Sequence, residues 1–115
     1  MYFKSIAHQM NVGELLNKVG NEKTSLDYAS AIYLLSIPGI YSKTNNHISE
    51  HGIDFEAIKA GGYSDSQTFL VNVAMQLFYG RGDVRLADIA YLDEASVKAF
   101  MQAMAIKANN DIKIG

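Results

Sequence analysis

Two stretches without a charged side chain constrain the fold of this chain more than any other feature. Residues 28–42 and 66–80 are each fifteen residues long and mainly apolar. A helix that crosses a bilayer needs about 20 predominantly apolar residues, so both stretches are too short to span a membrane. Segments of this length and polarity are typical of helices in the interior of a globular domain. The two stretches therefore predict a helical core.

The composition excludes several classes of protein to which this chain could otherwise belong. Of 115 residues, 49% are apolar and 19% are charged, which favours one folded domain over a disordered chain. The absence of cysteine excludes a disulfide scaffold and a thiol nucleophile. The formal net charge of −2 argues against a general nucleic-acid binder. Without a signal-peptide pattern at the N-terminus, we expect a cytoplasmic protein with no membrane partner.

Start and stop signals place about five helices along the chain. The residues that can cap their N-termini carry short polar side chains and are Ser5, Thr24, Asp54, Ser64 and Asp93. Thr24 with Asp27, and Ser64 with Gln67, have the spacing of a capping box. The helices are expected to end near residues 19, 37, 60, 80 and 108, mostly where glycine or proline follows. One or two further turns are possible over residues 86–91, and no strand pair is predicted.

These signals predict an all-α fold. We expect a single helical domain over residues 1–108, built as a bundle of about five unequal helices around two apolar central ones. Residues 109–115 are expected to form a flexible C-terminal tail.

The last predicted helix has the apolar spacing of an amphipathic helix. Its i, i+3, i+4 and i+7 positions are Val97, Phe100, Met101 and Met104. We expect these side chains to face the core and Lys98 and Gln102 to face water.

His47 and His51 are weak candidates for a metal site. They lie four residues apart, with Glu50 and Asp54 nearby, and on a helix such a pair shares one face. The surrounding asparagine, serine and glycine residues disfavour a helix, and a polar surface loop explains the pattern more simply. We therefore expect no bound metal, no other cofactor and no catalytic set.

Five polar residues within the apolar segments are candidates for a ligand site or an interface: His8, Tyr33, Tyr41, Asn72 and Gln76. Thr68, Asn72 and Gln76 are spaced four residues apart, so they share one helix face. These polar side chains can line a small-molecule pocket, lie in a subunit interface, or form hydrogen bonds within the domain. His8 can act as a general base, although a packing role is simpler. The tyrosines are typical of core positions with a polar tip, or of interfaces.

Four segments carry a resemblance to a known family. They are Phe3-x-Ser5-x-x-His8 with Leu15-Leu16, residues 31–41, residues 74–80, and Leu92-Asp93-Glu94 with the helix that follows. Their order and spacing resemble a group of short helical proteins of Gram-positive bacteria and their phages, which form a domain of unknown function. This chain differs from the group's pattern at two positions. Ser5 stands where the group usually has asparagine, and Gly62 stands where it often has tryptophan. The resemblance implies one α-helical domain of bacterial or phage origin and implies no activity.

Two functional hypotheses remain open on the sequence. The first is a non-catalytic helical protein that acts by binding an unidentified protein partner or by self-association, for instance as a homodimer. The alternative is a small-molecule-binding or enzymatic domain with a site near His8, Tyr33 and Gln76.

Overall fold

The computed structural model describes residues 1–20 and 25–109, and within these ranges the fold is mainly α-helical, as predicted. Its α-helices are α1 (Ile6–Val19), α2 (Leu26–Leu35), α3 (Tyr41–Thr44), α4 (Phe55–Lys59), α5 (Asp65–Tyr79) and α6 (Glu94–Lys107). Two 3-10 helices, Asn45–His47 and Leu86–Tyr91, and a short hairpin of β1 (Ile48–Ser49) and β2 (Gly52–Ile53) complete it. The predicted cap Thr24, and the predicted tail beyond Asn109, lie outside the described residues.

Helix α2 lies at the centre of the domain and packs against both α5 and α6. Six consecutive residues, from Ser30 to Leu35, have no exposed surface, so this part of the helix is buried on every side. Helix α5 buries one face, which includes Leu70 and Ala74, and exposes Thr68 and Gln76 on the other. Of the two charge-free stretches, the first therefore forms the buried central helix and the second an amphipathic one.

The predicted caps Ser5, Asp54, Ser64 and Asp93 are confirmed, because each side chain accepts a hydrogen bond from the backbone amide three residues later. The Ser64–Gln67 capping box is complete.

The predicted bounds of α2 are wrong. The helix is capped by Ser25, whose hydroxyl accepts from the Tyr28 amide, and it ends at Leu35 because the backbone turns before Pro38.

The prediction that the chain has no strand pair is also wrong. Ile48 pairs with Ile53 in an antiparallel hairpin, and both side chains are buried. The hydroxyls of Tyr28 and Tyr79 donate to backbone carbonyls of the two strands at 3.2 and 3.3 Å. Strands of two residues show no alternation long enough to recognise, which explains why sequence periodicity missed them.

The predicted inner face of α6 is wrong at Met101 and Met104, whereas the half-buried Phe100 packs against the core as predicted. The residues that α6 buries are small or polar: Ser96, Ala99, Gln102, Ala103 and Ala105. Met101 and Met104 remain 47% and 46% exposed. Small side chains allow two helix axes to approach closely, so the side of α6 that carries Ala99 and Ala103, its alanine face, packs against α2 and the two methionines turn outward.

Candidate functional site

His8 and Tyr33 lie together in the core, as the sequence analysis allowed. Their ring centroids are 4.7 Å apart, and both side chains are fully buried. The Lys4 amide donates to His8 Nδ1 at 3.1 Å, so this nitrogen is an acceptor and Nε2 carries the hydrogen. Nε2 then donates to the Tyr33 carbonyl oxygen at 2.7 Å. The imidazole is therefore neutral, with both nitrogens engaged.

Residues 2–4 form an N-terminal strap that covers this pair. The Tyr33 hydroxyl donates to the Tyr2 carbonyl at 2.6 Å, and the Phe3 ring packs edge-on against His8 at 5.4 Å. On the other side, the Lys4 ammonium donates to Ser96 of α6 at 3.0 Å. The strap thus ties α1, α2 and α6 together and closes the histidine–tyrosine pair from solvent.

The electrostatics of the pair favour its neutral form. Burial lowers the pKa of His8, and the hydrogen bond to the Tyr33 carbonyl opposes this shift only in part. Burial also raises the pKa of Tyr33 well above its ordinary range. Since neither side chain is exposed and the polar atoms of both are bonded internally, the arrangement stabilises the fold and offers no reacting group to a substrate.

Gln76 lies elsewhere, on the exposed side of α5. There it lines an apolar groove of about 110 Å³ between α5, α6 and the start of the Leu86–Tyr91 helix with the preceding Val84. The residues of this apolar groove are Val73, Gln76, Leu77, Val84, Leu86, Phe100 and Met104. The Phe100 ring is held from behind by Phe69, with centroids 5.6 Å apart. The structure therefore separates Gln76 from the buried His8–Tyr33 pair.

Large apolar side chains are exposed on the two elements, the Leu86–Tyr91 helix and α6, that contribute to the groove. Leu86 is 71% and Tyr91 is 57% exposed on the 3-10 helix, which packs against α5. On α6, the exposed Met101 and Met104 and the half-buried Val97 lie on the side opposite the alanine face, and we call these three residues the outer face of α6. An exposed apolar face next to an apolar groove is typical of a binding surface.

Tyr41 and Asn72 occupy separate positions at the surface. The Tyr41 hydroxyl donates to Glu14 Oε2 at 2.7 Å, and this bond, with burial, raises the pKa of Tyr41. Asn72 is half-buried on α5 and lines a shallow depression with Lys59 and Tyr63. Tyr41 thus links α1 to α3, and neither residue joins the groove.

His47 and His51 stand at the hairpin rather than on one helix face. His47 is in the 3-10 helix that precedes β1, and His51 is in the turn, where its Nε2 lies 3.5 Å from Glu50 Oε1. Among the residues that the structure describes, no three histidine, aspartate or glutamate side chains are grouped so as to hold a metal ion. The hairpin therefore gives the two histidines no third ligand within that part of the chain.

Comparisons with family models, curated proteins and solved structures gave no match for this chain. The resemblance to short helical proteins of Gram-positive bacteria and their phages stays a prediction. No helix in residues 1–20 and 25–109 has the length and apolar character needed to cross a bilayer.

The exposed apolar surface was not predicted, because the spacing of the α6 methionines indicated core positions. A signal for the correct orientation was present. Ala95, Ala99 and Ala103 recur at every fourth residue, which is the spacing of a closely packed helix face. Since α6 is apolar on two sides, side-chain volume rather than polarity decides which side is buried.

Proposed function

We propose that this chain is a non-catalytic protein-interaction domain that binds through the outer face of α6 and the adjoining apolar groove. The exposure of Met101 and Met104, on a helix whose other face is in the core, carries the proposal. Unbranched methionine side chains adapt to a partner's shape and are common at binding surfaces. The clustering of Leu86 with Met104 at the groove extends the apolar area beyond a single helix.

The groove indicates what kind of contact this surface makes. Its volume of about 110 Å³ accommodates one large apolar side chain, and Gln76 is its one polar lining residue. A partner that inserts an apolar anchor and covers the rest of the face with a helix fits these dimensions. We therefore expect a helical partner surface rather than a small-molecule ligand.

The alternative of a ligand-binding or enzymatic site near His8, Tyr33 and Gln76 has less support. The first two side chains have no exposed surface, and both imidazole nitrogens are bonded to the backbone. Gln76 belongs to the groove and so counts toward the interaction surface. The cytoplasmic location and the bacterial or phage origin remain predictions.

Methionine oxidation tests the proposal with probes that the chain already contains. Met10 on α1 is 68% exposed, whereas Met101 and Met104 are on the proposed surface. The purified chain is oxidised briefly with hydrogen peroxide, alone at low concentration and in an extract of its host cells, and each methionine is quantified by mass spectrometry. We expect the extract to protect Met101 and Met104 and to leave Met10 as reactive as in the purified chain.

A charged substitution at the groove tests whether this surface is the cause of the protection. Leu86→Glu changes a side chain that is 71% exposed, so the fold is expected to tolerate it. This variant should lose the protection of Met101 and Met104 in the extract. Equal protection of Met10 and the α6 methionines, or protection that survives Leu86→Glu, would contradict the proposed surface.

A further inference from the structure

We infer that the N-terminal strap is an acid-sensitive element of the fold, which detaches when His8 takes up a proton while the helices stay folded. The strap contacts α6 at Ser96 and Gln102, on the buried face of that helix, so this property is independent of the proposed interaction surface. The two ring nitrogens of His8 are bonded differently, and this difference determines which contact acid breaks.

Only one of the two ring nitrogens loses its hydrogen bond on protonation. Nε2 donates to the Tyr33 carbonyl oxygen at 2.7 Å, and it carries a hydrogen in both the neutral and the charged imidazole. Nδ1 accepts from the Lys4 amide at 3.1 Å, and a proton occupies the lone pair that accepts this bond. Two N–H groups then face each other. The contact with the strap therefore breaks, whereas the contact with α2 is compatible with both forms.

The elements around His8 disfavour a charged ring in the closed fold. His8 lies in the first turn of α1, which has no acidic residue and where the helix dipole opposes a cation. Burial lowers the pKa of His8, and the Lys4 ammonium lowers it further against the opposing bond to the Tyr33 carbonyl. The Tyr33 hydroxyl stays neutral, because burial holds its pKa well above the ordinary range. Neither the strap, α1 nor α2 thus supplies a compensating negative charge.

The carboxylates at the start of α6 are engaged elsewhere. Asp93 caps this helix, and the hydrogen bonds from Ser96 lower its pKa, so it stays ionised where histidine titrates. Glu94 lies 3.6 Å from the Lys98 ammonium and its side chain is 86% exposed. Both nitrogens of His8 are bonded to backbone groups and not to these carboxylates. A proton on the ring is therefore stabilised by water after the strap has detached.

Side chains hold the backbone of the strap in place. The Tyr2 amide donates to Gln102 at 2.8 Å, and the Tyr2 carbonyl accepts from the Tyr33 hydroxyl at 2.6 Å. Helix α1 has its own cap, because Ser5 Oγ accepts from the His8 amide at 3.1 Å. The strap can therefore detach without breaking a helical hydrogen bond, and segments of this kind open at a lower free energy than the whole fold.

The direction of the pH effect follows from the two states of the ring. The closed strap keeps His8 neutral, whereas the open strap leaves Nδ1 in water, where its pKa returns toward the ordinary value of 6.5. The closed form therefore has its full stability above this pH. Below it, the ratio of closed to open molecules falls by up to about 10-fold per pH unit, until the pH reaches the lowered pKa of the closed form.

Nuclear magnetic resonance of the 15N-labelled chain tests the inference between about pH 8 and about pH 5, where histidine titrates. Imidazole 15N shifts report the protonation of His8. Protection factors compare the exchange of each amide with its unfolded rate, which removes the direct effect of pH on exchange. We expect the Tyr2 and Lys4 amides to lose up to about 10-fold in protection per pH unit below the ordinary histidine pKa. The buried amides of Ser36 and Ile58 should keep theirs.

Three substitutions separate control by His8 from general weakness of the strap. His8→Gln supplies a donor and an acceptor that do not titrate, so the protection of the Tyr2 amide should no longer depend on pH. Tyr33→Phe removes the hydroxyl bonded to Tyr2 but keeps the imidazole, so protection should be lower at every pH and still fall in acid. His51→Gln, at a side chain that is 86% exposed, should behave as the unchanged chain does.

Three results would overturn the inference. The first is protection of the strap amides that stays constant down to about pH 5. The second is an equal loss of protection at Ser36 and Ile58, which would indicate unfolding of the whole domain. The third is detachment of the strap while Nδ1 of His8 remains unprotonated, or with the same pH dependence in His8→Gln. The first two are read from the unchanged chain, so they decide the matter even if a variant fails to fold.

Discussion

The backbone amide of Tyr2 donates a hydrogen bond of 2.8 Å to Oε1 of Gln102, a residue 100 positions later in the chain. Gln102 is only 4% exposed and lies on the buried face of α6. A buried amide side chain without a partner destabilises a protein, so this contact explains how a glutamine is accommodated in the core. The N-terminal strap is thereby part of the same folded unit as the last helix.

Gln102→Ala is expected to lower the free energy of unfolding by about 1–3 kcal/mol. The substitution leaves the Tyr2 amide without its acceptor and opens a small cavity beside α6. Urea denaturation followed by circular dichroism measures the change. Gln9→Ala, at an exposed position of α1, is the control and should shift stability by less than about 0.5 kcal/mol.

Stability is expected to fall as the pH drops below about 6.5, because His8 is neutral in the fold. Burial lowers the His8 pKa from its ordinary value of 6.5, so the unfolded chain binds more protons than the folded one at acidic pH. The stabilisation is complete above the unfolded pKa and is lost progressively as the pH falls toward the folded pKa.

His8→Gln isolates this effect, since an amide supplies one donor and one acceptor but does not titrate in this range. Urea denaturation at a series of pH values should show a weaker dependence below pH 6.5 for this variant. His47→Gln changes an exposed imidazole and should keep the dependence of the unchanged chain. An identical pH profile for His8→Gln and the unchanged chain would argue against the neutral buried histidine.

Removal of the hydroxyl should have opposite effects on the free energy of unfolding at Ser36 and at Thr44. Both are fully buried, but Ser36 Oγ has no hydrogen-bond partner among the described residues, whereas Thr44 Oγ1 donates to the Leu35 carbonyl at 2.9 Å. Ser36→Ala should raise the free energy of unfolding by up to about 1 kcal/mol, and Thr44→Val should lower it by about 1–3 kcal/mol. Paired thermal and urea denaturation of the two variants tests the contrast.

Ala103→Leu should destabilise the domain by about 1–3 kcal/mol, because Ala103 has no exposed surface and α6 packs against α2 and α5. Met104→Leu, one residue later but 46% exposed, should change stability by less than about 0.5 kcal/mol. Urea denaturation at low protein concentration compares the two. A larger loss at Met104 than at Ala103 would mean that the sequence-based orientation of α6 was correct after all.

The pairing of His8 with Tyr33 was only partly predictable. The polar residues of the apolar segments pointed to both side chains as candidates, with a packing role as the simpler one for the histidine. No sequence pattern indicated that the Tyr33 carbonyl would accept a hydrogen bond from the His8 ring. Gln76 was grouped with them in the alternative hypothesis, although that residue lies on the outer side of α5. Contacts between residues 25 or more positions apart depend on how the helices are oriented, and no local pattern encodes this.

The sequence by itself determined the buried central helix α2 and four of the helix starts, because a cap such as Ser64 is satisfied by an amide only three residues away. Only the tertiary structure decided which side of α6 is buried. That helix is apolar on both its alanine side and its methionine side, so the amphipathic pattern permits two orientations. Close packing against α2 selects the smaller side chains, and the methionines identified as core residues by their spacing lie instead at the surface.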